Sequence, residues 1–223
     1  MKLCVIPARG GSKRIPHKNI KLFHSKPMIC YSIENALKTE LFDKIIVSTD
    51  SVEIADVVKK YDVEIQLRPD YLSDDFVGLD KVIEFVLSKN RGYKFVCLLF
   101  ATAVLLDYRY IIDGYEKLKD SDAIHSISVV ENETNLFRSF KIENGRMKMF
   151  FPENYFKRSQ DLPLSYRDAG AFSWKALERI SFNKVTFSNE SIPIVLPRYM
   201  GIDIDTIDDF KMAEIVYKVI NDR

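Results

Sequence analysis

Short, continuous apolar runs recur along the chain as far as Val130, and a segment with helical periodicity separates most of them. Runs at 3–7, 44–48, 63–67, 95–100 and 123–130 read as strands; the run at 95–100 is apolar throughout, as suits a strand buried on both faces. Between them, Ile29, Ile33, Ala36 and Leu37 share one face of a helix over 27–39. Ile54, Ala55 and Val58 mark a second helix, and Leu79, Val82, Ile83, Val86 and Leu87 follow the i, i+3, i+4, i+7, i+8 spacing of a third. A fourth helix is expected over 110–118. Strands alternating with helices predict an α/β fold, a mostly parallel sheet with helices on both faces. Ligands in such sheets lie beyond the carboxyl ends of the strands. That singles out the loops after Pro7, Ser48 and Phe100.

The rhythm changes after Val130. Residues 137–142 and 146–151 flank Asn144-Gly145, a hairpin turn signal. The hairpin is rich in Phe and Met, so its tip is expected to pack on a partner. A strand over 192–196 resumes the pattern. A last helix carries Phe210, Ala213, Val216, Tyr217 and Ile220 on a broad face. With 223 residues and no repeat or clear linker, a single domain over 1–223 is expected, with about 131–168 an extension within it.

Several function classes lose support. A net charge of +1 creates no global field toward nucleic acid or an anionic membrane. The N-terminal apolar run stops at Pro7, too short for a signal-peptide core, and no run reaches the roughly 20 residues of a membrane span. Cys4, Cys30 and Cys97 each sit in an apolar element and read as buried thiols, which suits a reducing, cytoplasmic compartment. His17, His24 and His125 lack zinc-ligand spacing.

The segment Ala8-Arg9-Gly10-Gly11-Ser12-Lys13-Arg14-Ile15-Pro16-His17-Lys18-Asn19 directly follows the first strand. Adjacent glycines let backbone N–H groups approach a phosphate chain, and Arg9, Lys13, Arg14 and Lys18 supply positive charge. The spacing is neither the Walker nor the Rossmann pattern. Asp203 and Asp205 form a second constellation. Two carboxylates one residue apart point the same way in an extended segment and suit Mg²⁺, which also takes waters and substrate phosphate oxygens. Thr206 with Asp209 reads instead as a helix capping box, which leaves Asp208 and Asp209 out of the site. A third group, Arg158, Gln160, Asp161, Arg167 and Asp168, has the polarity to bind an acidic, polyhydroxylated ligand. The same residues also suit a surface loop with ion pairs.

The basic loop resembles the signature of the CMP-sugar synthetases, the cytidylyltransferases for sialic and related acids. Arg158-Ser159-Gln160-Asp161-Leu162, Asp168-Ala169-Gly170-Ala171-Phe172 and Asp203-Ile204-Asp205-Thr206 follow in that family's order. The first two, with Ala101-Thr102-Ala103, look most like its pseudaminic acid branch. The resemblance implies a nucleotide-diphosphosugar-transferase-like fold with a β-hairpin dimerisation extension, and a homodimer. It also implies Mg²⁺-dependent transfer of CMP from CTP to the anomeric hydroxyl of an acidic nine-carbon sugar. By match to the motif, Arg9, Ser12 and Lys18 would contact the triphosphate, with Gly10 and Gly11 giving main-chain contacts and Asn19 near the phosphates or ribose. Arg68 and the loop to Gly78 match the region that holds cytosine. Asp203 and Asp205 would hold the metal, and the third group the sugar; which arginine meets its carboxylate stays open, as does the general base. Val77, Val104, Arg167, Ala171, Ser173 and Lys175 depart from the branch's usual residues, mostly in the sugar half. N-acetylneuraminic and legionaminic acids are the alternative acceptors. A nucleotide-sugar-dependent glycosyltransferase and a non-catalytic nucleotide-binding module are rivals from other classes; pyrophosphate release separates them.

Overall fold

The apolar runs fold as strands, and the order in which they lie fixes where a ligand can bind. The computed structural model describes residues 1–74, 77–179 and 186–222. In chain order come β1 (Lys2–Ala8), the short pair β2 (Leu22–Phe23) and β3 (Lys26–Pro27), α1 (Met28–Lys38), β4 (Lys44–Thr49) and α2 (Val52–Val58). Then follow β5 (Glu64–Leu67), α3 (Leu79–Lys89), β6 (Phe95–Leu99), α4 (Tyr108–Lys119) and β7 (His125–Glu131). The last elements are β8 (Phe140–Glu143), β9 (Arg146–Met149), β10 (Tyr166–Ala176), β11 (Ser191–Val195) and α5 (Ile207–Asn221). Seven strands form the main sheet in the order β11-β7-β10-β6-β1-β4-β5. β10 runs antiparallel to both neighbours, and the other pairs are parallel. The chain steps from β1 outward to β4 and β5, then returns to β6 on the other side of β1. This reversal opens a crevice at the carboxyl ends of β1 and β6.

Alternate residues of the central strands feed different cores. Cys4, Ile6, Cys97 and Leu99 pack with Ile29 and Ile33 of α1 and Ile111 of α4. Leu3, Val5, Val96 and Leu98 face Ile83 and Val86 of α3. Helices on both faces explain why these strands are apolar throughout. A third cluster joins Ile15, Phe23, Ile204 and Phe210. It fastens the loop after β1 and the segment before α5 to one another. All three cysteines are buried and unpaired. No helix among the described residues is long and apolar enough to cross a membrane.

The sequence reading missed β10. Its first three residues, Tyr166, Arg167 and Asp168, are exposed and polar, whereas Ala171, Phe172 and Trp174 are buried. Its register with β7 shifts between Asp168 and Ser173. There the Ser128 hydroxyl accepts from the Phe172 N–H at 2.9 Å and donates to the Phe172 carbonyl at 2.8 Å, filling the gap in the ladder. The hairpin also starts later than expected. Leu136–Arg138 is a 3₁₀ turn rather than strand, because the Asn135 side chain accepts from the Phe137 N–H at 3.0 Å. Asn144 and Gly145 both have positive φ, 53° and 73°, as a two-residue hairpin turn requires. Cross-strand pairing puts Phe140 opposite Met149 and Ile142 opposite Met147, with Lys141 opposite Lys148 and Glu143 opposite Arg146. One face of the ribbon is therefore apolar, and Phe140, Ile142 and Met147 on it are exposed.

His125, at the head of β7, is buried, and its Nδ1 has no partner among the described residues. Burial, then nearby Lys175, pulls its pKa down to about 4, while Asp80 and Glu190 oppose the shift. The unfolded chain therefore binds a proton that the folded chain refuses between pH 6.5 and about 4. Stability contributed by neutral His125 is complete above that window and falls as pH drops through it. The expected loss is roughly 3 kcal/mol. Denaturant unfolding of wild type and His125→Gln across the window checks this: the variant should lack that part of the slope.

Candidate active site

The crevice at the switch point holds a cleft of about 340 Å³. Arg9, Lys18 and Asn19 reach it from the loop after β1, Thr102 from the turn after β6, and Asp203 and Asp205 from the segment before α5. Arg68, Ser73, Asp74 and Val77 form its far wall. Ser12, Lys13 and Arg14 join Arg9, Lys18 and Asp205 around an adjoining cavity of about 410 Å³. A separate cleft of about 460 Å³, between α1, α4 and α5, contains none of these residues.

The basic loop is tied down along its length. The Gly10 N–H donates to Asp50 Oδ1 at 3.0 Å. A Cβ at residue 10 would lie 2.9 Å from Ser51 Cβ, so only glycine fits this approach to the turn after β4. Asn19 Nδ2 donates to the Arg9 carbonyl at 3.0 Å, closing the loop on itself. Lys18 Nζ donates to the Ile204 carbonyl at 2.7 Å and to Asp205 Oδ1 at 3.2 Å. Arg14 reaches the same carboxylate oxygen at 2.8 Å. Phosphate-type and metal-type groups, 187 residues apart for Lys18 and Asp205, thus touch directly.

Asp203 is exposed to the cleft, and its carboxyl is pushed up, first by desolvation and then by the charges of Asp205 and, more weakly, Asp168 and Asp209; Lys18 opposes them. Asp168 approaches because Gly170, with φ +61°, packs against Asp203 while its N–H donates to Asp168 Oδ1 at 2.9 Å. Carboxylates that raise one another's pKa relax when a cation arrives. Among the described residues no group of three or more His, Cys, Asp or Glu side chains is set to hold a metal. Asp203 and Asp205 line the cleft as two hard oxygen donors, a set that a cation completing its shell with phosphate and water would suit. Asp209 is occupied elsewhere: it and Thr206 form the reciprocal cap of α5.

Arg68 lies almost wholly beneath the surface, with its Nε donating to Ser73 Oγ at 3.1 Å. Asp50 stands 3.8 Å from its Nη2. Ser73 falls within the expected cytosine loop, whereas Asp50 is absent from the sequence-based site; the only signal for it was Thr49-Asp50 at a strand's carboxyl end. The third group divides. Arg167 Nη2 donates to the Gly201 carbonyl at 2.9 Å, beside the Asp203 segment, and Asp168 faces Asp203. Arg158 and Asp161 instead pair with each other at 2.7 Å on an exposed 3₁₀ turn that also carries Gln160. These three do not line the cleft within one chain.

Residues 3–218 match the family model described as cytidylyltransferase. The chain therefore belongs to the cytidylyltransferase family, and it is an enzyme of the nucleotidyltransferase class. It is 42% identical to a pseudaminic acid cytidylyltransferase of Campylobacter jejuni, an alignment covering 97% of this chain and 96% of that protein. It is 28% identical to the N-acylneuraminate cytidylyltransferase of Escherichia coli, over 95% of this chain and 51% of the other. A solved CMP:2-keto-3-deoxy-manno-octonic acid synthetase in complex with CTP shares the fold at a TM-score of 0.71 and 15% identity, covering 98% of this chain and 99% of that one.

Proposed function

We propose that the chain transfers CMP from CTP to the anomeric hydroxyl of pseudaminic acid, releasing pyrophosphate, in the cytoplasm and with Mg²⁺. The observation that carries this reading is the convergence of Lys18 and Asp205 in one cleft at the switch point. The relatedness to a pseudaminic acid cytidylyltransferase at 42% identity supports the acceptor. In this mechanism the sugar hydroxyl attacks the α-phosphorus and pyrophosphate leaves. Arg9, Lys18 and the backbone of Gly11 and Ser12 align the triphosphate and neutralise charge on the departing group. Asp203 and Asp205 are the residues that would hold Mg²⁺, whose chemistry there is charge neutralisation at the phosphates and acidification of the attacking hydroxyl. Arg68 and the wall to Gly78 hold the cytosine.

Asp168 and Arg167 are the near edge of the sugar site in this reading. Arg158, Gln160 and Asp161 belong to the same 131–168 extension but face outward, which suits a homodimer whose hairpin reaches the partner's sugar site. The exposed apolar face of Phe140, Ile142 and Met147 supports that assembly. Light scattering at micromolar concentration should report a dimer, and removing residues 140–148 should yield monomers; a monomeric wild type sinks the assembly. The acceptor is tested by kcat/KM for pseudaminic, legionaminic and N-acetylneuraminic acids with the same CTP and Mg²⁺. Pseudaminic acid should lead. Discrimination must come from groups other than the shared carboxylate and anomeric hydroxyl, and a site that pairs a substrate polar group rejects an analogue lacking it strongly. A preference for N-acetylneuraminic acid would overturn the acceptor and leave CMP transfer standing.

A further inference from the structure

Asp50 lies at the end of β4, and its carboxylate is not used to cap the helix that follows. Ser51 does that, accepting from the Ile54 N–H at 3.3 Å. Asp50 Oδ1 instead accepts the Gly10 N–H at 3.0 Å and faces Arg68 Nη2 at 3.8 Å. One oxygen thus touches the phosphate loop on one side and the base-side wall on the other. Arg68 depends on it. Its side chain is only 3% exposed, its Nη1 has no partner among the described residues, and its Nε is bonded to the uncharged Ser73 hydroxyl. A guanidinium that deep needs a counter-charge, and among the described residues Asp50 is the carboxylate paired with it. The backbone reinforces the link, since the Arg68 N–H donates to the Thr49 carbonyl at 2.8 Å.

We infer that Asp50 is a positioning residue that couples the two halves of the nucleotide site, setting the phosphate loop through Gly10 and the base-side wall through Arg68. The inference rests on the nucleotide being CTP. Its two contacts differ in chemistry, which makes them separable. The Gly10 bond needs an acceptor oxygen, and an amide supplies one. The Arg68 contact needs a negative charge, and an amide does not.

The test uses the two products as probes of the two halves. CMP and inorganic pyrophosphate are each titrated calorimetrically into the full chain as wild type, Asp50→Asn and Asp50→Ala, with Ser51→Ala as a local control. Asp50→Ala should weaken both ligands by about tenfold or more. Asp50→Asn should weaken CMP by a similar factor and leave pyrophosphate within about twofold. Ser51→Ala should lower the unfolding temperature without changing either affinity, which separates positioning from local stability. The inference is overturned if the two Asp50 variants behave alike, if pyrophosphate alone responds, or if Ser51→Ala reproduces the pattern. Each of those outcomes, seen with a wild type that binds both ligands, refutes the role of Asp50 and leaves the CTP reading standing. A wild type that binds neither ligand refutes the CTP reading, and the role of Asp50 with it.

Discussion

Lys18→Ala should lower kcat/KM by roughly 2–4 kcal/mol in transition-state stabilisation, the scale of losing one preorganised donor. Its ammonium group is held rather than solvated. Lys18 Nζ is anchored by the Ile204 carbonyl and Asp205, and its side chain is only 19% exposed. A charge fixed in place before the substrate arrives needs little reorganisation as pyrophosphate departs. The same contacts make Lys18 a clamp on the carboxylate segment, so its loss also loosens Asp205. The Lys18→Ala and Asp205→Asn effects should therefore be non-additive in a double-mutant cycle, because the two groups share one contact. Arg9→Ala should fall in the same range without that coupling. Steady-state kinetics on variants with wild-type unfolding temperatures check this. Near wild-type turnover in both lysine and arginine variants would remove the loop from the site.

Asp203→Asn and Asp205→Asn should each weaken the dependence of turnover on Mg²⁺, with wild-type rates not restored at any practical metal concentration. The physical basis is the crowding at Asp203, where desolvation and the Asp205 charge lift the carboxyl above its ordinary range. Removing one charge relieves that repulsion, so neither variant should unfold, and Asp203→Asn should be at least as stable as wild type. Asp208→Asn should be nearly silent, since its side chain is 89% exposed at the start of α5. Asp209→Ala should cost about 1 kcal/mol of stability through the lost cap while sparing the metal response. Metal titrations of rate, run beside thermal unfolding, distinguish the two kinds of loss. Silence at Asp203 and Asp205 with damage at Asp208 would mean that the carboxylates were misassigned.

The loop at 9–19 was legible because four cations and two glycines follow a buried-type strand, and the structure brings Arg9, Lys18 and Asn19 to one cleft. The hairpin turn was legible because Asn144-Gly145 has few other uses between apolar segments. β10 was not. Its first three residues lie exposed, Gly170 and a register shift interrupt it, and its partners β6 and β7 are remote in sequence. Asp50 was hidden for a related reason. A Thr-Asp pair at a strand end is common, and its meaning comes from Gly10 and Arg68, which only the sheet order brings together. Proximity along the chain does not carry over into space within one chain: Arg158, Gln160 and Asp161 share a motif order with Asp168 but lie on an exposed turn, whereas the Asp168 charge is felt at Asp203.

Incubating the enzyme with Mg²⁺, pseudaminic acid and CTP labelled at the α-phosphate tests the proposed transfer most directly. The label should move to the sugar product, with one pyrophosphate released for each sugar consumed and none released when the sugar is omitted. CTP binding without pyrophosphate release across pseudaminic, legionaminic, N-acetylneuraminic and ketodeoxyoctonic acids would contradict it.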